Sequence, residues 1–438
     1  MKKQNLRRIN HYAAGIDIGA SEIFVALENK PVISFSTFTD SYIKAVQYLK
    51  DNSITTVAME ATGVYWYALY DILEQAGIEV YLVNGRAMRN VPGRKSDVQD
   101  CQWLQELHSY GLLRRCFIPD DITRQLRTYT RLRADHLSLS TQHIQHMQKA
   151  FDSMNIKLHN VISQINGASG LRIVKAIISG IDDPLELAEL CEVSILKKKR
   201  DLVIDSLKGN FREDYIFALE QALDGYEFYL EKAFQCDKKI ETLLNLITAD
   251  ISSPKEIKPA KRIRHNAPQI NDLHLMLMKL THGNDPSQVT GLTDKSLLDL
   301  IAETGTDLSR WKTEKHFTSW LCLAPGKHQS GKKNKNRNKK GHTKAGQIFR
   351  NAAYALTKSN KTALGAFYNR VKSRKGPLIA IKATARKIAV LYYNVMTKGI
   401  DYVEKGILDY QQKVKEQKMK YLKKQAKQLG YSLLPMIT

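Results

Sequence analysis

The chain reads as an α/β domain followed by a mostly helical remainder. Two patterns predict this. Short β-branched runs alternate with amphipathic stretches as far as about Pro119, and heptad-spaced apolar residues replace them after Asp120. A hydrophobic content of 43% over 438 residues gives enough apolar material for two or three domains with cores of their own.

Taken in order, "GIDIGASEIFVALE" (15–28), "VISFSTF" (32–38), "TTVAME" (55–60) and "EVYLVN" (79–84) read as strands. "DSYIKAVQYLKD" (40–51) and "VYWYALYDILEQAG" (64–77) read as helices between them. Hairpin-like strands come first and strand–helix alternation follows, which predicts a mixed sheet with helices packed on it. From Ile144 to Ile165 the apolar residues Ile144, Met147, Phe151, Met154, Leu158, Val161 and Ile165 step by three and four, a heptad seam. A second seam runs through Ile216, Leu219, Leu223, Tyr226, Leu230 and Ala233, is interrupted at Asp237, and resumes at Ile240, Leu244 and Ile247. Such seams serve either an intramolecular helical hairpin or an oligomerising coiled coil. Between them, residues 167–210 read as a small helical insertion. The Pro- and Lys-containing stretch 252–268 reads as a linker, "TGLTDKSLLDLIAETG" (290–305) as a helix between glycine turns, and the chain beyond about Asp401 as a Lys-rich helix.

Lys and Arg number 67 against 44 Asp and Glu, a net charge of +23. That excess calls for a polyanionic partner, nucleic acid before membrane. No apolar run reaches the roughly 20 residues of a spanning helix, and "MKKQNLRRINHYA" lacks the apolar core of a signal peptide. The expected location is the cytoplasm. Five scattered cysteines, none spaced C-x-x-C, give neither a disulfide framework nor a zinc site. His143 and His146 lie three apart with no acidic or cysteine neighbour, and read as a polar helix face.

The chemistry gathers in two places. Asp17 ends one predicted strand and Glu60 another, so the two meet at one edge of the sheet if their strands are neighbours. In "GRKSDVQD" (93–100) Ser96 can cap a helix, and Asp97 and Asp100 then share one face of it. Four carboxylates on three elements repel one another unless cations sit between them, and hard oxygen ligands suit Mg²⁺ or Mn²⁺. A two-metal site of that kind stabilises the entering and leaving oxygens of an in-line phosphoryl displacement. "GIDIGAS" also resembles the first phosphate loop of an actin-like ATPase, but the second Asp-Gly loop and glycine-rich adenosine site are not found downstream. The second place is "APGKHQSGKKNKNRNKKGHTK", where Ser330 precedes a glycine and residues 327–344 carry eight Lys or Arg and no acid. This reads as a basic loop entering a helix, with Lys344 and Arg350 near that helix's start.

"GIDIG", "AMEATG", "GRKSDVQD", "SWLCLAPGKHQSG" and "TKAGQIFRNAAYAL", in that order, resemble the DEDD transposases of bridge-RNA-guided insertion sequences, relatives of the pilin-gene invertases. The resemblance runs over nearly the whole chain. It implies a RuvC-like domain of RNase H fold over residues 1–125, a coiled-coil region with the insertion over 126–265, a C-terminal serine transposase domain over 266–400 and a basic helical tail over 401–438. It implies that Asp17, Glu60, Asp97 and Asp100 bind Mg²⁺ or Mn²⁺ and that Ser330 is a nucleophile forming a phosphoserine link to DNA, with the metal site supplied by another subunit. Nucleic-acid contacts are expected at Arg94, Lys95, Lys327, Lys332, Lys333, Lys335, Arg337, Lys339, Lys340, Lys344 and Arg350. The implied partners are donor and target DNA, a structured non-coding guide (bridge) RNA and further copies of the chain as a dimer or tetramer, at the nucleoid of a bacterium or archaeon. Two residues depart from the pattern: Cys322 stands where many members have Gly, and Gln347 where Asn is common. The alternative activity on the same carboxylates is a metal-dependent junction nuclease that uses water and not Ser330.

Overall fold

The computed structural model describes residues 7–61, 63–85, 97–330, 333–338, 341–359 and 362–399, with parts of 412–432. The chain divides into two compact units, Met1–Ile118 and Pro119–Thr438.

The first unit is built on a five-stranded sheet of β1 (Ala13–Ile18), β2 (Glu22–Ala26), β3 (Ile33–Ser36), β4 (Thr56–Glu60) and β5 (Glu79–Val83), in the order β3-β2-β1-β4-β5. β1, β2 and β3 pair antiparallel, as their short connections permit. β4 and β5 join parallel to β1. Parallel neighbours need a crossover, supplied by helix α1 (Thr39–Asp51) before β4 and α2 (Trp66–Gln75) before β5. The strand side chains alternate between two faces. Ile16, Ile23, Val25, Val57, Met59 and Leu82 enter one core with Leu49, Leu69 and Leu73 of the crossover helices. Ala58 and Val83 face the other way, towards Leu104 of helix α3 (Asp97–Ser109). Each expected strand and helix of this unit is present to within two residues at each end, apart from the first quoted run, which splits into β1 and β2.

The second unit opens with two long helices, α4 (Asp121–Ser153) and, after α5 (Ala168–Ile178), α6 (Pro184–Glu189) and α7 (Val193–Leu207), α8 (Glu213–Thr248). Arg133 meets Asp237 while His143 meets Tyr229, so α4 and α8 run antiparallel as a hairpin within the chain. The insertion is helical, as expected, and α5, α6 and α7 share one apolar cluster with Met147, Phe151, Leu219 and Tyr226 of the hairpin. The first seam departs from its heptad reading. α4 ends at Ser153, Asn155 takes a left-handed φ of 59°, and Leu158, Val161 and Ile165 reach the same cluster from turns and a short 3₁₀ segment. The spacing of three and four is kept because each residue is buried, not because a helix continues.

The break in the second seam has a direct cause. Asp237 is 2% exposed and accepts from Arg133 Nε at 2.5 Å and from the backbone N–H of Gln269 at 3.0 Å. Arg133 also donates to the carbonyl of Asn266 at 3.1 Å. The stretch read as a linker is irregular, yet this pair fastens its end across both helices. Lys261 adds hydrogen bonds to the carbonyls of Ser287 and Val289, so the segment is a strap.

Beyond the strap come α9 (Leu273–Leu280), α10 (Asp294–Thr304), α11 (Glu314–Trp320), the β6–β7 hairpin (Pro325–Ser330 and Lys333–Asn338), α12 (Lys344–Ala355), α13 (Ala363–Lys375) and α14 (Pro377–Lys398). α10 is the helix expected between glycine turns, capped by Thr293 and ended by Gly305 at φ 71°. Phe317, Phe349 and Tyr392 pack α11, α12 and α14 together, with ring centroids 5.5–6.3 Å apart. The basic stretch expected as a loop is an antiparallel hairpin, with Pro325 opposite Asn338 and Ser330 opposite Lys333. Its strands, rich in Lys and Asn, carry no apolar alternation, the signal by which a half-buried strand is read. Of the C-terminal tail, residues 401–411 lie outside the described residues and 419–428 are helical. Among the described residues no helix is long and apolar enough to cross a membrane.

Removing one partner of the buried Arg133–Asp237 pair leaves an uncompensated charge. Asp237→Ala is expected to cost about 3–5 kcal/mol, read from urea unfolding of the full chain, with Arg133→Met on top of it recovering much of the loss.

Candidate functional site

Strand pairing fixes the first two carboxylates. β1 and β4 are parallel with Gly15 opposite Ala58 and Ile16 opposite Met59, so Asp17 and Glu60 come next, side by side where the strands end. By the two-residue period, Asp17 lies on the face of Gly15 and Glu60 on the face of Ala58, which is the face α3 covers.

α3 is drawn onto that face by the absence of a side chain. A Cβ on Gly15 would fall 2.2 Å from the Cys101 carbonyl and 2.4 Å from the Gln105 nitrogen, so helix and strand backbones touch there. Gln105 Nε2 donates to the Ala13 carbonyl at 3.3 Å, and Ser109 O accepts from the backbone of Ile9 and Asn10. Helix numbers fall as strand numbers rise, so the first turn of α3, with Asp97 and Asp100, points to the end of β1 that holds Asp17. Both aspartates are exposed, whereas Asp17 and Glu60 are half-buried. The first turn of a helix is where a carboxylate is favoured by the unpaired N–H groups.

The charges couple. Burial pushes the Asp17 carboxyl up to about 6, and the negative charges of Asp97, Asp100 and Glu60, in that order, add to the shift. Burial and the charge of Asp17 push the neighbouring Cys101 thiol up to about 12, so it is a neutral packing group. Among the described residues no three acidic, histidine or cysteine side chains already stand close enough to enclose one metal ion. The four carboxylates thus share an electrostatic neighbourhood without a preformed ligand shell, as like charges do when no cation screens them. Their donor set, all carboxylate oxygens and partly open to solvent, fits Mg²⁺ or Mn²⁺ in chemistry.

Three residues escaped the sequence reading. Gly15 was visible only as part of "GIDIG", without its role as a contact point. Gly85, just past β5, leaves room for Glu60: a Cβ there would overlap Glu60 Oε1 at 1.9 Å. His108 is buried on α3, bonds Thr56 Oγ1 through Nε2 at 2.9 Å and is pushed down to about 4 by burial, so it is a neutral anchor between helix and sheet. Arg94, Lys95 and Ser96 lie outside the described residues, as do Lys332, Lys339 and Lys340. Lys327 and Ser330 are on β6, and Lys333, Lys335 and Arg337 on β7. Lys344 is exposed on the first turn of α12, which Thr343 caps, and Arg350 is half-buried two turns on. The carboxylates belong to the first unit and Ser330 with its basic hairpin to the second.

Residues 14–156 match the family model of the DEDD transposases of IS110 type, and residues 287–369 match that of the transposase IS116/IS110/IS902 family. The chain belongs to the IS110 family of DEDD transposases. It is therefore an insertion-sequence transposase, a DNA-acting enzyme. The first match spans Asp17, Glu60, Asp97 and Asp100, and the second spans Ser330, Lys344 and Arg350. No curated protein matches the chain significantly.

Two outcomes follow from this geometry. Gly15→Ala is expected to lower the melting temperature by an amount equivalent to about 1–3 kcal/mol, because two backbones must separate to admit the methyl group. The Asp17 carboxyl, ordinarily near 3.8, titrates at about 6 in the folded chain. A raised carboxyl favours folding below its unfolded value and loses that contribution as pH rises through the folded one. The metal-free protein is expected to lose about 1–2 kcal/mol from this group between pH 4 and 7, after solvent screening is allowed for. Asp17→Asn should flatten that slope in melting curves.

Proposed function

We propose that the chain is the recombinase of its insertion sequence and exchanges DNA strands through Ser330, with Asp17, Glu60, Asp97 and Asp100 holding Mg²⁺ or Mn²⁺ at the DNA. The observation that carries this reading is the convergence of the four carboxylates on Asp17, whose proton affinity is raised first by burial and further by the negative charges of Asp97, Asp100 and Glu60. In the first unit the sheet order β3-β2-β1-β4-β5, three antiparallel strands and then two parallel ones, supports a RuvC-like RNase H fold.

Each group has a distinct part. Asp17, Glu60, Asp97 and Asp100 would hold the metal and so fix where the scissile phosphate rests; when bound it would supply positive charge for the oxygens that gain negative charge during displacement. Ser330 Oγ forms the bond to phosphorus as it gives up its proton, and the sugar oxygen leaves with the bonding pair and takes up a proton. The product is a phosphoserine ester and a free strand end, and reversal onto a different end completes exchange without hydrolysis. Lys327, Lys333, Lys335, Arg337 and Lys344 hold the phosphate backbone, with Arg94, Lys95, Lys332, Lys339 and Lys340 adding to the basic surface. Carboxylates on one unit and the serine on the other are compatible with a site composed between copies of the chain, a dimer or tetramer. The net charge of +23 supports a structured guide RNA beside the DNA.

The test is incubation of the protein with Mg²⁺, the RNA transcribed from the element end and labelled donor and target duplexes, followed by denaturing electrophoresis. Wild type is expected to give a protein–DNA adduct that survives detergent, Ser330→Ala none, and Asp97→Asn binding without adduct or strand exchange. Cleaved ends without an adduct in either wild type or Ser330→Ala would replace this reading with water attack by a junction nuclease.

A further inference from the structure

We propose that Arg350, Lys382 and Arg386 form a phosphate-binding site for the DNA backbone at the root of the β6–β7 hairpin. Lys382 and Arg386 lie past the second matched span, on α14.

The three cations are assembled by packing. α12 sits against the chain just before the hairpin so closely that a Cβ on Gly346 would lie 2.4 Å from the Leu321 carbonyl. Gly341, just after the hairpin, lies near Cys322, where a Cβ on it would stand 3.6 Å from the sulfur. α14 joins them through Phe349 and Tyr392 at 5.5 Å. Arg350 follows Phe349 on α12, and Lys382 and Arg386 are one turn apart on one face of α14. Lys382 is half-buried, and burial together with the charge of Arg350 pushes its ammonium down from the ordinary lysine value. Two cations are therefore held close with water partly removed. Arg386 adds a buried Nε that has no hydrogen-bond partner.

Among the described residues no acid forms an ion pair with Arg350, Lys382 or Arg386. Between Glu314 and Asp401 the chain contains no Asp or Glu at all. The acids of α10 are engaged elsewhere: Glu303 with Arg127 and Arg131, Asp299 with Lys295, Asp294 with His274. A half-buried Lys beside an Arg is unfavourable for folding alone and favourable only with an anion between them. A phosphodiester offers the required charge and several acceptor oxygens for an arginine fork and an ammonium. We take the anion to be DNA because the family acts on DNA, and the inference does not depend on serine chemistry.

The test is the affinity of the full chain for a fluorescent duplex of generic sequence, by anisotropy across a KCl series. Lys382→Gln is expected to weaken binding about tenfold at physiological salt and to lower the slope of log Kd against log salt by about 1, as loss of one phosphate contact should. Lys382→Arg should keep both values, and Lys197→Gln, an exposed charge on α7, should leave them near wild type. The melting temperature of Lys382→Gln without DNA should stay or rise, since a repulsion is removed. Unchanged affinity and slope in Lys382→Gln overturn the proposal. So does a loss seen only with single-stranded RNA, or a lowered melting temperature with a binding defect that Lys382→Arg does not restore. A serine that proves inert in the adduct assay leaves this measurement unaffected.

Discussion

The contact between two backbones at Gly15 is the constraint on which the acidic site depends. A side chain at that position would hold α3 off the sheet, and the aspartates in its first turn would move with it. Around the contact, Cys101, Leu104 and His108 are all buried, so the helix is clamped along the length that follows the site. The site end of the helix is left open to solvent. The division has a physical logic: the apolar half supplies the free energy that the repelling carboxylates oppose.

Those carboxylates are kept tolerable in different ways. Asp97 and Asp100 remain hydrated and gain from the first-turn N–H groups. Asp17, half-buried and faced by the other three, responds by holding its proton more tightly. A cation held there would have to compete with that proton, so its affinity would fall as pH falls.

Much of this was legible in the sequence. The strands of the first unit are short, β-branched and bounded by turn residues, and the pairing of Asp17 with Glu60 followed once their strands were taken as neighbours. Periodicity misled where burial continued without a helix, as at Leu158, Val161 and Ile165. It was informative where it broke, since Asp237 marks a buried ion pair whose partner, Arg133, lies over a hundred residues away. No local pattern could supply that partner, nor the contact of Gly85 with Glu60, because each depends on the fold bringing distant segments together. The hairpin around Ser330 was hidden for another reason: its strands pair through backbone while their composition reads as a solvated basic loop.

The two units carry opposite electrostatic problems. One gathers carboxylates that need positive charge, and the other gathers cations, over a stretch without a single acid, that need negative charge. Self-contained domains usually pair such groups internally, as Arg131 and Glu303 do here through two hydrogen bonds of 2.8 and 2.9 Å. Gathering like charges lowers the stability of the free protein and reserves part of their interaction energy for a ligand of the opposite sign. A cation would answer the carboxylates of the first unit, and a phosphate backbone the lysines and arginines of the second. Charge repulsion within each unit is thus relieved by a ligand of the opposite sign, and for the cations of the second unit that ligand fits the DNA on which the family acts.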